Sequence, residues 1–282
     1  LAKSGSDVNF TTAPLFAVIG NSTIQVKNSV AVVLEPHGDK LEYTPIGVVS
    51  DHYSLLQNQQ IAQAIEPLSG QWPVSSMFSL GKGNIFCIVL KAQSFEANGD
   101  VINAFFTVVE RHDGKGGTKI IFTPERAVCQ NTLRIAENLS VMDVVIRHSA
   151  GNDTYLENIS GTMMNLIEQQ KTVASLFSQM GTIPISLNDF KNMLDSLIPL
   201  PKQNNKEKVG KEEKLRAQLT EAFGQFNDEF PKYGQTGWAA YNAFTQVLTH
   251  SKPERGPQNV VDSLLFGQRA QLSQKAFAYV LK

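Results

Sequence analysis

A glycine-rich turn between two apolar runs is the feature that most constrains how this chain can fold. Residues 112–117 read His-Asp-Gly-Lys-Gly-Gly, and the three glycines supply the positive φ angles that a tight reversal needs. The run before it, residues 102–109, is almost wholly apolar, which is typical of a strand buried on both faces. Residues 118–123 are predicted to return as its partner, and Pro124 to end that strand because proline has no amide donor.

Other strand and turn signals surround this hairpin throughout the first half of the chain. The predicted strands are 16–19, 24–27, 30–35, 41–49, 77–80, 85–91, 102–109, 118–123 and 141–148, and the predicted helices are 59–68, capped by Asn58, and 125–137. Residues 1–12 are polar and small, and we expect them to be disordered or a weak edge. Because hairpins and not helical crossovers join the strands, the pattern predicts an antiparallel meander.

The period of the apolar residues changes from Asp153 onward, where they recur three or four positions apart. This spacing predicts a long helix that ends at Gly181 and a second helix capped by Ser186 with Asp189 three positions on. Further helices are predicted at 215–226, 237–250 and 264–281. The fold class is therefore α+β: an N-terminal antiparallel strand meander with one or two packed helices, followed by an all-helical C-terminal half.

The change of period also predicts the domain organisation. We expect a sheet domain over residues 13–150 and a helical region over 151–282. Within the second, residues 199–214 are rich in charge and are predicted to be an exposed linker or the exposed start of a helix.

Composition narrows the class of protein. The 282 residues are 42% hydrophobic and 18% charged with a net charge of −1, which excludes a globally basic protein but not a local basic groove. Cys87 and Cys129 both lie in apolar surroundings, which favours a reduced cytoplasmic chain. No apolar run approaches the roughly 20 residues of a membrane-spanning helix, and no secretory signal is present, so we expect no membrane partner.

Signals for catalysis are weak in this sequence. Residues 114–119 resemble a phosphate-binding loop but lack its spacing and lie in a hairpin. His112, Cys129, His148 and His250 could converge in space, which would fit a metal- or cysteine-dependent enzyme, although a buried cysteine more often packs as a small hydrophobe. We therefore assign no catalytic residue, metal ligand or cofactor.

Basic and amide side chains gather around the central hairpin. They are Arg111, Lys115, Lys119, Arg126, Gln130, Asn131, Arg134 and Arg147. On strand positions and a helix turn, several of them could line a groove that follows a phosphate backbone. The alternative is a solvated sheet face with capping residues, and composition alone favours neither.

Several short motifs resemble those of the "phage/plasmid-like protein" family, a bacterial and phage family of unknown function. They are Gly47-Val48-Val49, Tyr53 and Leu56-Gln57-Asn58, then His112-Asp113-Gly114, Thr123-Pro124 with Arg126-Ala127-Val128-Cys129 and Asn131-Thr132-Leu133, Arg147-His148, and finally Gly237-Trp238, Asn242-Ala243, Thr245 and His250. The Arg-Val-Cys element of the family is interrupted here by Ala127. The resemblance covers most of the chain and implies no catalytic residues.

The order of a strand meander and then a helix is also similar to that of phage single-strand annealing proteins of the RecT, Red-beta and Erf kind. That resemblance implies a homo-oligomer of phage or plasmid origin that binds single-stranded DNA in recombination, with the basic set above on the DNA backbone. A second hypothesis is a mobile-element factor that binds a host or phage protein and inhibits a host defence complex, which the neutral net charge favours. The metal- or cysteine-dependent enzyme is the third.

Overall fold

Strands fill the first half of the chain and helices the second. The computed structural model describes residues 7–38, 41–80, 83–126, 142–146, 152–200, 206–229, 234–250 and 268–282. The strands are β1 (Phe10–Ile19), β2 (Ser22–Leu34), β3 (Thr44–Ser50), β4 (Val74–Leu80), β5 (Ile85–Ala97), β6 (Asp100–Arg111), β7 (Thr118–Arg126) and β8 (Met142–Ile146). The helices are α1 (Asn58–Ile65), α2 (Asn152–Met180), α3 (Leu187–Leu197), α4 (Lys206–Glu229), α5 (Gly237–His250) and α6 (Gln268–Val280). The predicted α+β class, with strands first and helices after, is confirmed.

The chain packs as two compact units. Of the described residues, those in 7–93, 105–122 and 142–167 form unit 1, and those in 94–104, 123–126 and 168–282 form unit 2. The predicted domain boundary at 150/151 lies outside the described residues, so that division stays a prediction. Of the predicted linker 199–214, residues 206–214 form the start of α4, and residues 201–205 lie outside the described ranges.

Two antiparallel sheets account for the strands. β1, β2 and β3 form one sheet in that order, and β4 to β8 form a second sheet, also in chain order. The turn between β5 and β6 consists of Asn98 and Gly99, with φ angles of 52° and 76°. Two central residues with positive φ match the right-handed twist of the flanking strands, which explains why an Asn-Gly pair closes this hairpin.

The core of unit 1 forms around β6, which is buried on both faces as the apolar run predicted. Phe106 lies at its centre, with ring centroids 5.8 Å from Trp72 and 5.4 Å from Phe122 of β7. A second cluster joins Val8, Phe10, Val32 and Leu34 under the three-stranded sheet.

Residues 1–12 were predicted to be disordered or a weak edge, and of these, residues 10–12 belong to β1, the edge strand of its sheet, where Phe10 is only 3% exposed. One prediction about a strand limit is wrong. Pro124 does not end β7, which continues to Arg126. Within the described residues, β7 pairs with β8 from Thr118 to Phe122, and Pro124 lies outside these pairs.

The helix predicted over 125–137 is contradicted where it can be compared, since residues 125 and 126 are part of β7 and the rest lies outside the described residues. The predicted strand over 141–148 is confirmed for β8. The helix predicted over 59–68 is confirmed as α1 followed by a 3₁₀ turn at Glu66–Leu68.

Unit 2 is built from aromatic contacts between helices. Phe177 of α2 lies within 5.3 Å of Trp238 and 5.9 Å of Tyr241, both on α5, measured between ring centroids. Phe190 of α3 stacks on Phe223 of α4 at 4.3 Å. The predicted capping box of α3 is present, because the Ser186 hydroxyl accepts from the Asp189 amide and the Asp189 carboxylate accepts from the Ser186 amide. Among the described helices, none is long and apolar enough to cross a membrane.

Candidate nucleic-acid interface

A buried histidine anchors the central turn in unit 1. His112 is fully buried, and its Nε2 lies 2.7 Å from the side-chain oxygen of Asn58. Because an amide oxygen can only accept, Nε2 carries the proton in this bond. The imidazole also stacks on the ring of Phe10 at a centroid distance of 3.7 Å. His112 therefore joins β1, the start of α1 and the turn between β6 and β7.

The beginning of α1 supplies two amides to this junction. The Gln57 side chain forms two hydrogen bonds with the backbone of Phe10, donating to its carbonyl at 2.8 Å and accepting from its amide at 2.9 Å. Gln57 is the N-cap, and its amide donates to the Gln60 side chain at 2.8 Å. The prediction of Asn58 as N-cap is wrong by one position, because the Asn58 side chain points inward to His112 and is buried.

An ion pair holds the turn itself. The Arg111 guanidinium forms a bidentate pair with the Asp113 carboxylate, with Nη2–Oδ2 and Nε–Oδ1 distances of 2.6 Å and 3.1 Å. The Lys115 amide donates to the same carboxylate at 3.1 Å. Burial raises the pKa of Asp113, but the hydrogen bonds from Arg111 and the Lys115 amide, together with both positive charges, outweigh it and lower that pKa.

Two close backbone approaches dock the turn on β3. A methyl group on Gly47 would collide with the Asp113 carbonyl. A methyl group on Gly114 would lie 2.8 Å from Val49 Cγ1 and 3.0 Å from the Val48 carbonyl oxygen, and Gly114 has a φ of 72°. Glycine is thus required at both positions, and the exposed side chain of Lys115 follows directly after this contact.

Two more polar groups support the hairpin from inside. The Thr118 hydroxyl donates to the Glu110 carboxylate, and both side chains are fully buried. The Tyr53 hydroxyl lies 3.4 Å from the Arg111 carbonyl, to which it donates. Burial raises the pKa of Tyr53, and the charges of Glu110 and Asp113 raise it further, so the phenol stays protonated.

The predicted basic set is only partly within the described residues. Arg111 is paired with Asp113, Lys115 is exposed on the turn, and Lys119 is half-buried in β7. Arg126 is the last residue of β7, and only its backbone is described. Gln130, Asn131, Arg134 and Arg147 lie outside the described residues, so the groove of basic and amide side chains stays a prediction. Cys129 and His148 also lie outside them, so the convergence of His112, Cys129, His148 and His250 stays a prediction as well.

A large bulge in β2 forms a groove that the sequence did not predict. The register jumps from Pro14–Val30 to Phe16–Gln25, so four residues of β2, 26–29, lie opposite Leu15. Asn28 adopts a φ of 60° within it. The resulting groove has a volume of about 390 Å³. Bulges bend a strand and re-aim its side chains, and they are frequent next to functional sites.

The lining of this groove mixes polar and apolar side chains and is mostly uncharged. It includes the hydroxyls of Thr12 and Ser29, the amides of Gln25 and Asn28, the ammonium of Lys27 and the carboxylate of Asp51. Hydroxyls, amides and ammonium groups are the donors that bind phosphate and sugar oxygens in protein–DNA contacts.

Beyond the bulge, the tip of the hairpin projects as a two-stranded arm, residues 15–26. Phe16 pairs with Gln25 across the strands and is 56% exposed. Directly opposed residues lie on the same face of a ladder, so the Phe16 ring lies beside the Gln25 end of the groove. An aromatic ring next to amides and a cation is the arrangement on which single-stranded bases stack.

The described parts of the chain offer little for metal chemistry. Within them, no three His, Cys, Asp or Glu side chains form a group that could hold a metal ion. His112 is engaged with Asn58 and Phe10, so its described contacts are those of a structural residue.

The fold and the site define an α+β protein whose first sheet carries a bulged groove and an exposed arm, supported from below by the His112 junction. The chain belongs to the family described as a domain of unknown function, DUF932, whose model matches residues 45–266. The groove and arm lie almost entirely ahead of that range, whereas Gly47, Gln57, Asn58 and His112 lie within it. Neither the curated proteins nor the solved structures include a match to this chain.

Proposed function

We propose that this protein binds single-stranded DNA in the groove at the base of the arm and that it acts, as an oligomer, in strand annealing for a phage or plasmid. The observation that carries the proposal is the β2 bulge, which opens a groove lined by Lys27, two amides and two hydroxyls beside the exposed ring of Phe16. The phosphate backbone follows the polar lining, and a base stacks on the ring.

The groove chemistry favours sequence-tolerant binding. Its described donors suit phosphates and sugars, and an aromatic face accepts any base. The carboxylate of Asp51 in the groove repels the negatively charged DNA backbone, so we expect a moderate affinity for single-stranded DNA. Lys115 and Lys119 are the described lysines of the central hairpin that we propose as further DNA contacts, and Arg126, Gln130, Asn131, Arg134 and Arg147 stay predicted contacts from the sequence alone.

Two variants of groove residues test the assignment. Lys27→Gln removes one phosphate contact, so it should weaken binding of a labelled oligothymidine and reduce the salt slope by about one. Phe16→Ala removes a stacking platform, so it should cost about 1–3 kcal/mol of binding free energy with the salt slope unchanged. Both effects can be read from fluorescence anisotropy titrations at several salt concentrations.

Lys171→Gln is the matched control, because it removes an exposed lysine from α2 in unit 2 and should leave binding unchanged. If Lys27→Gln and Phe16→Ala both bind like the wild-type chain, the groove assignment is wrong. A function retained at high salt without DNA binding would favour the alternative, a mobile-element factor that binds a host protein.

A further inference from the structure

Asn28 has an unusual backbone conformation within the bulge of β2. Its φ angle is 60°, and among the described residues Asn98 is the only other non-glycine residue with a positive φ. Glycine adopts this left-handed conformation readily, whereas the side chain of any other residue strains it. Strained backbone positions of this kind cluster at functional sites, where the surrounding structure holds them.

β3 and the residue after it hold the backbone of Asn28 in place. The Asp51 amide donates to the Asn28 carbonyl at 3.4 Å, and the neighbouring residue Ser29 pairs with Ser50 of β3. Both contacts lie within the chain, so the bulge keeps its shape before any ligand binds. A binding site with a preformed shape loses less conformational freedom when it binds its ligand.

The side chains of the two asparagines differ in what they contact. The Asn98 amide donates to the Phe177 carbonyl at 2.7 Å, so its side chain stabilises unit 2. The Asn28 side chain is exposed, lines the groove and forms no hydrogen bond with another described residue. Within the described part of the chain, the Asn28 amide therefore adds nothing to the fold that offsets the backbone strain, and it is accessible to a ligand in the groove.

The chemistry of this amide fits a phosphate group. The side-chain nitrogen of asparagine carries two N–H donors, and phosphate oxygens accept from asparagine in protein–DNA contacts. Lys27, the preceding residue, also lines the groove and supplies positive charge. A lysine that contacts phosphate releases counterions, so its contribution falls as salt rises, whereas a neutral donor releases none and its contribution does not depend on salt.

We infer that Asn28 donates through its side-chain amide to a phosphate of the bound single strand, and that the left-handed backbone of the bulge holds this amide in the groove. The inference rests on the proposed function and adds a salt-independent contact to the salt-dependent contact of Lys27. Asn28 is thus a binding residue, and its conformation is kept for the groove and not for a hydrogen bond within the fold.

The test measures binding and stability of Asn28→Gly in the full chain. Glycine keeps the positive φ and removes the amide, so the thermal unfolding midpoint should change little. The dissociation constant for a labelled oligothymidine should rise about fivefold, which is the loss of one neutral hydrogen bond. The factor should be the same at about 50 and 200 mM salt, whereas Lys27→Gln should lose less affinity at the higher salt concentration.

Two further variants complete the test. Asn28→Asp keeps the size of the side chain and tolerates a positive φ, but it replaces the donors by a carboxylate, so it should weaken binding more than Asn28→Gly does. Asn98→Gly is the matched control, because it makes the same substitution at a φ of 52° outside the groove and should leave binding unchanged.

The outcomes separate this inference from the proposed function. If the wild-type chain binds the oligothymidine and both Asn28→Gly and Asn28→Asp bind it equally tightly, the role of Asn28 is overturned and the groove assignment is not. A fivefold loss in Asn98→Gly as well would also overturn that role, because the effect would then belong to the substitution and not to the groove. If the wild-type chain does not bind at low salt, the proposed function fails and this inference fails with it.

Discussion

The side-chain oxygen of Asn58 lies 2.7 Å from Nε2 of His112, although the two residues are 54 positions apart. Both side chains are fully buried. Through this bond the first helix of the chain fixes the turn that carries Arg111, Asp113 and Lys115. The motifs around residues 47–58 and 112–114 are therefore parts of one structural junction.

Replacing Asn58 by alanine should destabilise unit 1 by about 1–3 kcal/mol, because a buried imidazole N–H then loses its acceptor. Urea denaturation with an unchanged m-value would measure the loss. Gln59→Ala, at the exposed neighbouring position, is the control and should lie within about 0.5 kcal/mol of the wild type. Equal stability of Asn58→Ala and the wild type would contradict the structural role of the bond.

Gly47→Ala should lower the free energy of unfolding by about 1–3 kcal/mol, because the added methyl group meets the Asp113 carbonyl and forces the turn away from β3. Gly70→Ala is the matched control, since a methyl group there has no neighbour within 4 Å. Thermal unfolding of the two variants gives the comparison. If the two variants shift the thermal unfolding midpoint equally, the close approach of β3 and the turn is not rigid.

The Asp113 carboxylate should make the stability of unit 1 dependent on pH. Its pKa is lowered in the folded chain, so the folded state binds fewer protons than the unfolded state, and stability rises with pH. The contribution is present above the ordinary value of about 3.9 and is lost as the pH falls through the folded pKa. The stability difference between the wild type and Asp113→Asn should therefore shrink below about pH 4, and a difference constant from pH 6 to pH 3 would contradict this account.

In unit 2, the side chain of Asn98 does more than allow a positive φ. Its Nδ2 donates to the Phe177 carbonyl at 2.7 Å, so the turn between β5 and β6 is bonded to α2. Asn98→Gly keeps the backbone angle but loses the bond, and it should destabilise by about 1 kcal/mol. Asn28→Gly, at a φ of 60° in the bulge, is the control for the glycine substitution alone. If Asn98→Gly instead raises the free energy of unfolding, the hydrogen bond from Asn98 to the Phe177 carbonyl contributes nothing to stability.

The elements that rest on local signals were predictable. The helix over residues 237–250 has an uninterrupted apolar stripe, so the spacing of its apolar residues was sufficient to predict it. β7 was predicted too short because Pro124 was taken as its end, whereas the strand continues through Pro124 to Arg126.

The groove could not be predicted because it depends on register. The sequence shows separate strand runs at 24–27 and 30–35, and the break between them is where Asn28 adopts a positive φ. What the sequence does not show is that β1 continues with a single residue, Leu15, opposite four residues of β2. Likewise, the ion pair that Arg111 forms with Asp113, two positions away, was not predicted, and the role of Arg111 as a DNA contact stays a prediction.

Binding of a fluorescent oligothymidine of about 25 nucleotides, compared with a duplex of the same length, tests the central claim most directly. Titrations of the wild-type chain from about 50 to 200 mM salt give the affinity and its salt slope. The account predicts binding to the single strand that weakens steadily with salt, is insensitive to base sequence, and exceeds duplex binding by at least about tenfold. No binding at low salt, or equal affinity for the duplex, would contradict it.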